Sequence, residues 1–85
     1  MDFNDVWSRI LRHQGEVFYT VTKKELVYQV IDDYVLTNRT KERFYKNQFK
    51  KVYELGELQG PSQIKNIVKG PSYVFAILTD PRIRY

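Results

Sequence analysis

The chain has 85 residues, room for one hydrophobic core and not two, so a single domain spanning residues 1–85 is expected. Hydrophobic residues make up 42% and charged residues 28%, a composition that excludes both a disordered segment and a membrane span. Fourteen Lys and Arg stand against ten Asp and Glu, a net charge of +4, and the absence of cysteine excludes disulfides, thiolate metal sites and thiol catalysis.

The amino-terminal segment predicts a helix over residues 3 to 14. Phe3, Val6, Trp7, Ile10 and Leu11 recur at helical spacing and make one apolar face. Asp2 or Asn4 can cap its start, and Asp2 and Asp5 suit the positive end of the helix dipole. Arg9, Arg12 and His13 suit the negative end, and Gly15 stands where a left-handed cap belongs. So amphipathic a helix could also bury Trp7 across a homodimer, which would enlarge a small core.

Residues 16 to 38 carry two patterns. Leu26, Val27, Val30, Ile31, Tyr34 and Val35 fit a helical stripe, and Thr22 and Glu25 have the spacing of a capping box. The density of β-branched and aromatic residues favours strands instead. The reading adopted is a three-stranded antiparallel meander with strands at 16–22, 26–31 and 34–38. Its turns fall at Lys23-Lys24 and Asp32-Asp33, neither with the Asn-Gly chemistry of a preferred hairpin.

Beyond the meander, Asn47 is expected to cap a helix running to about Leu55, with Phe49, Val52 and Tyr53 on one face and Gly56 ending it. Gly60-Pro61-Ser62 and Gly70-Pro71-Ser72 each put proline at a first-turn position and predict two short helices. The second runs through Tyr73 to Leu78, apolar on all sides, and must be covered; its length suits a buried strand as well, and the Gly-Pro-Ser lead favours the helix. After Asp80-Pro81, the alternation of Arg82-Ile83-Arg84-Tyr85 reads as a short edge strand or tail. The fold class is therefore α+β: an N-terminal amphipathic helix, a small meander and two or three short C-terminal helices on one sheet face. Its core is expected to hold Trp7, Ile10, Phe18, Tyr28, Val30, Phe49, Val52, Ile67, Phe75 and Leu78.

Enzyme chemistry has little to build on. His13 is the only histidine, no phosphate-cradling loop occurs, and no spaced acidic cluster accompanies the histidine as a metal site would require. No catalysis, no cofactor and no metal are expected. The acidic start, Met1 to Asp5, lacks the cationic region of a secretory signal, and the apolar run Tyr73 to Leu78 is too short for a bilayer. A soluble cytoplasmic domain without a membrane partner is the expectation.

The strongest functional signal is charge. Residues 39–51 hold Arg39, Lys41, Arg43, Lys46, Lys50 and Lys51 against Glu42 alone, a net +5, while residues 1–38 carry −2 and residues 52–85 carry +1. Phe44, Tyr45 and Phe49 interleave those cations. Cations grip phosphates and exposed rings stack on bases, which points to nucleic acid, above all single strands, with Tyr45 as the stacking residue. An acidic protein partner would meet the same surface. The two Gly-Pro-Ser helix starts form a second candidate, an anion site at Ser62, Lys65, Lys69 and Ser72.

Overall fold

The computed structural model describes residues 2–84. Helix α1, Phe3–Arg12, starts where Asp2 accepts a hydrogen bond from the Asp5 amide at 3.1 Å through its side chain. It buries Phe3, Val6, Trp7 and Ile10, while Leu11 stands exposed at the edge of the stripe. The helix stops two residues short of the predicted end: His13 caps it, and Gly15 turns the chain at a φ of 82° that L side chains rarely adopt.

The strand reading of the following segment holds, with its pairing redistributed. Phe18–Tyr19 (β1) pairs antiparallel with Glu25–Leu26 (β2) in a separate two-stranded sheet. Tyr28–Ile31 (β3), Tyr34–Thr37 (β4) and Phe44–Tyr45 (β5) make the three-stranded sheet in that order. The expected strand at 26–31 thus changes partner midway. At Val27 the amide donates to Asn38 Oδ1 and the carbonyl accepts from the Asn38 amide, both at 2.9 Å. The first expected strand does not join the meander, because its partner residues belong to β2, and β5 takes the third place. The Asp32-Asp33 turn occurs as expected, but the first turn falls at Val21-Thr22 and not Lys23-Lys24, because the Lys23 amide closes it on the Thr20 carbonyl at 2.8 Å; Lys23 and Asp32 both have positive φ.

The outer edge of β3 is not left open. Gly15 donates its amide to the Tyr28 carbonyl at 3.0 Å, and Gln14 Oε1 accepts from the Val30 amide at 2.7 Å. Tyr28 returns the favour to α1. Its hydroxyl donates at 2.6 Å to the Ile10 carbonyl, one of the terminal carbonyls without a partner inside the helix. Burial keeps that phenol protonated well above its ordinary range.

Helix α2, Lys46–Tyr53, begins at Tyr45, not Asn47. Gln48 reaches back to accept from the Tyr45 amide at 2.7 Å, so the N-terminus is closed without an asparagine cap. Pro61–Ile64 forms a single 3-10 turn, and Pro71–Thr79 forms α3, in both cases with glycine and not serine at the cap position. The expected edge strand at the C-terminus is instead the helical turn α4, Pro81–Arg84; Tyr85 lies outside the described residues. Proline starts that turn, and its alternation places Ile83 in the core between two charged neighbours.

The helices and both sheets close on one cluster that includes Ile10, Phe18, Leu26, Val35, Phe44, Phe49, Ile64, Val74, Ile77 and Ile83. The Cα radius of gyration is 11.3 Å, as expected for a compact chain of this length. Seven of the ten expected core residues are buried; Val30, Ile67 and Phe75 are half-buried against the cluster. Trp7 lies inside the chain, packed 6.0 Å from Phe49, so it offers no surface to a homodimer. Among the described residues no helix is long and apolar enough to cross a membrane, and no group of three or more His, Asp or Glu side chains is placed to hold a metal ion.

Arg82 ties the C-terminal turn to the start of the sheet. It bonds both Asp80 oxygens, Glu16 at 3.0 Å and the Val17 carbonyl at 2.9 Å, with its guanidinium 3.8 Å from the Phe18 ring centroid. Glu16 also bonds His13, and His13 followed by Arg82 holds the Glu16 carboxyl below its ordinary 4.5. Burial raises Asp80, but the Arg82 hydrogen bonds outweigh it and the net shift from 3.8 is downward. Both carboxylates have depressed folded-state values, so their stabilisation is complete above the unfolded values and disappears as pH falls through the folded ones. The melting temperature is therefore expected to fall below about pH 4.5, and Arg82→Met to flatten that acid limb. Thermal scans by circular dichroism between pH 3 and 7 check this; an unchanged limb in the variant would remove the role of Arg82.

Candidate nucleic-acid interface

The basic segment occupies a loop, β5 and α2. Two threonines shape the loop: Thr37 and Thr40 hydroxyls each accept, at 3.2 Å, from the amide two residues onward, those of Arg39 and Glu42. The strand alternation then sends Phe44 inward and Tyr45 outward. Phe44 and Phe49 are both core residues, so of the three interleaved rings only Tyr45 remains at the surface, 41% exposed.

The register supplies a neighbour the sequence reading did not assign. Tyr45 lies directly opposite Tyr34, with ring centroids 5.5 Å apart, and Tyr34 lies opposite Ile31. Ile31, Tyr34 and Tyr45 thus form one row across the outer face of the three-stranded sheet. Arg43 lies over the Tyr34 ring at 4.9 Å, and the Tyr45 hydroxyl followed by Tyr34 raises its pKa. Tyr34 was missed because its importance depends on β5, whose two residues carry no strand pattern of their own.

The cations divide into two groups. Lys41, Arg43 and Tyr45 line a shallow depression of about 510 Å³ with Thr40, Glu42, Gln48 and Lys69. Lys46 and Lys50 line another of about 540 Å³ between α1 and α2, together with Asp2 and Glu54. Lys46 also lies 5.7 Å from the Trp7 ring centroid. Arg39 and Lys51 are exposed outside both depressions. The first depression holds three cations to one carboxylate and the second is balanced, so the positive field concentrates beside Tyr45.

Of the candidate anion site, Lys69 joins the first depression, while Ser62 and Lys65 are exposed elsewhere and Ser72 is half-buried on α3. Pro61–Ile64 is a four-residue 3-10 turn with few aligned peptides, so the dipole at Ser62 is weaker than at the nine-residue α3. Among the described residues the ion pairs involve only His13, Glu16, Asp80 and Arg82. Among the described residues none of the cations at 39–51, nor Lys69, has a carboxylate within 4.0 Å. Comparison with protein-family models, curated proteins and solved structures finds no match to this chain.

Proposed function

We propose that the chain is a small, non-enzymatic, cytoplasmic binding module that takes nucleic acid by its phosphate backbone through the basic segment. The observation that carries this reading is the set of cations without a carboxylate partner among the described residues: Arg39, Lys41, Arg43, Lys46, Lys50, Lys51 and Lys69. Their charge is available to an external polyanion, and counterion release on contact is the driving term.

Four phosphate contacts would weaken duplex binding about a hundredfold, and single-strand binding about fiftyfold, between about 50 and 200 mM salt. Changing Lys41 and Lys69 together to Gln should make the slope of log affinity against log salt shallower by about 0.7 per contact for a single strand. The melting temperature should stay nearly constant, because neither lysine has an ion pair to lose. Fluorescence anisotropy with short mixed-sequence DNA and RNA reads both quantities. No measurable binding at low salt would retire this reading and leave an acidic protein partner as the alternative.

A further inference from the structure

In the row Ile31, Tyr34 and Tyr45 the two outer residues are exposed and Tyr34 between them is half-buried, an apolar and aromatic sheet face that is a costly feature unless something covers it. Its charge surroundings are uneven. Asp32 and Asp33 form the turn between Ile31 and Tyr34, so an anionic chain is repelled from that end. At Tyr45 the charged neighbours are Lys41, Arg43 and Lys69 against Glu42 alone, and none of the three cations is ion-paired among the described residues. Strand parity carries Arg43 to the same outer face as Tyr45, where it lies on Tyr34.

Resting on the polyanion reading, we infer that this face takes single-stranded nucleic acid, with an unpaired base laid on Tyr45 and the adjoining phosphates on Lys41, Arg43 and Lys69. A paired duplex presents groove edges and phosphates; its base faces are stacked inside and unavailable to Tyr45. The Tyr45 depression is a concave surface lined by the loop at 40–43 and β5 with Gln48 and Lys69, a shape that cups a strand and does not enter a groove. The helix that carries basic residues, α2, has Lys46 and Lys50 among Asp2 and Glu54, so its field towards duplex phosphates is partly cancelled. Tyr34 flanks Tyr45 on the next strand, its ring tilted at 51° with centroids 5.5 Å apart, and so limits how the Tyr45 ring can turn.

The test compares a labelled oligothymidine of about twelve nucleotides with a hairpin duplex carrying the same number of phosphates, at about 50 mM salt. The single strand is expected to bind more tightly than the duplex. Tyr45→Ala should weaken single-strand binding about five- to a hundredfold while leaving the salt slope and the duplex affinity unchanged. Tyr45→Leu keeps apolar bulk against Tyr34, so it carries the same comparison if the alanine variant loosens the fold. Tyr45→Phe and Tyr45→Trp keep a ring face and should retain more single-strand binding than Tyr45→Leu. Equal affinity for both ligands, indifferent to Tyr45 yet reduced by the lysine changes, would overturn the single-strand inference and leave the polyanion reading standing. Loss of all binding to both ligands in the parent protein would overturn the two together. Poly-glutamate binding as tightly as the oligonucleotide, with Tyr45→Leu without effect on either, would overturn it in favour of an acidic polypeptide.

Discussion

A chain ended at Gly70 is expected not to fold cooperatively, and Ile77→Ala to cost about 2–5 kcal/mol in the full chain. Ile77 is completely buried, on a helix whose Val74, Ala76 and Leu78 are buried with it. Removing residues 71–85 also takes away Ile83 and the anchors of the C-terminal turn. Those are the Arg82 bond to the Val17 carbonyl and the bond from Arg9 to the Ile83 carbonyl, at 2.9 and 3.4 Å. Sheet residues such as Phe18 and Phe44 would then meet water. In a domain of this size the net stability is about 5–15 kcal/mol, so the alanine substitution alone uses a large share of it. Urea denaturation followed by circular dichroism measures both effects. A cooperative transition in the fragment, or a loss below about 1 kcal/mol for Ile77→Ala, would mean that α3 is not the centre of the core.

Gly70→Ala should destabilise the protein by about 1–3 kcal/mol, whereas Gly60→Ala should change stability by less than about 0.5 kcal/mol. Both glycines precede a Pro-Ser pair, and both have backbone angles that an L residue adopts. The difference is space. A Cβ on Gly70 would meet Phe44 Cζ at 2.5 Å and Cε1 at 2.8 Å, and Tyr73 Cδ2 at 2.9 Å, while nothing lies within 4 Å at Gly60. Phe44 is buried against the core and cannot swing into solvent, so the methyl group displaces either that ring or the start of α3. Valine at Gly70 should cost more than alanine, since its γ carbons extend the same clash. Denaturant midpoints at constant slope give the comparison, and equal midpoints for the two alanine variants would contradict the close approach. Because Phe44 is adjacent to Tyr45 in β5, Gly70→Ala is also expected to weaken single-strand binding more than Gly60→Ala does.

Much of the architecture is a matter of local pattern. The stripe from Phe3 to Ile10 defines α1 because helical periodicity, an aspartate cap and a terminal glycine all act within a few turns. The Asp32-Asp33 turn after β3 was visible as a polar interruption of an apolar run, and Pro71 marked the start of α3. The local excess of positive charge at residues 39–51 is likewise a property of the chain itself.

Other features exist only once distant segments meet. Phe44–Tyr45 is too short to announce a strand, and it becomes one because Tyr34 and Val35 offer hydrogen bonds and a matching face. Alternation at Arg82 to Arg84 suits a strand or a helical turn equally, and the burial of Ile83 together with the reach of Arg82 to Val17 favours the turn. The candidate site has the same division. Sequence alone identified the cations and Tyr45, since charge and residue type need no partners. Tertiary structure brought Lys69 beside Lys41 and Arg43, set Asp2 and Glu54 against Lys46 and Lys50, and backed Tyr45 with Tyr34. Composition determines how much charge a chain carries, but the local field depends on distances between residues far apart in sequence, which only strand register and helix packing determine.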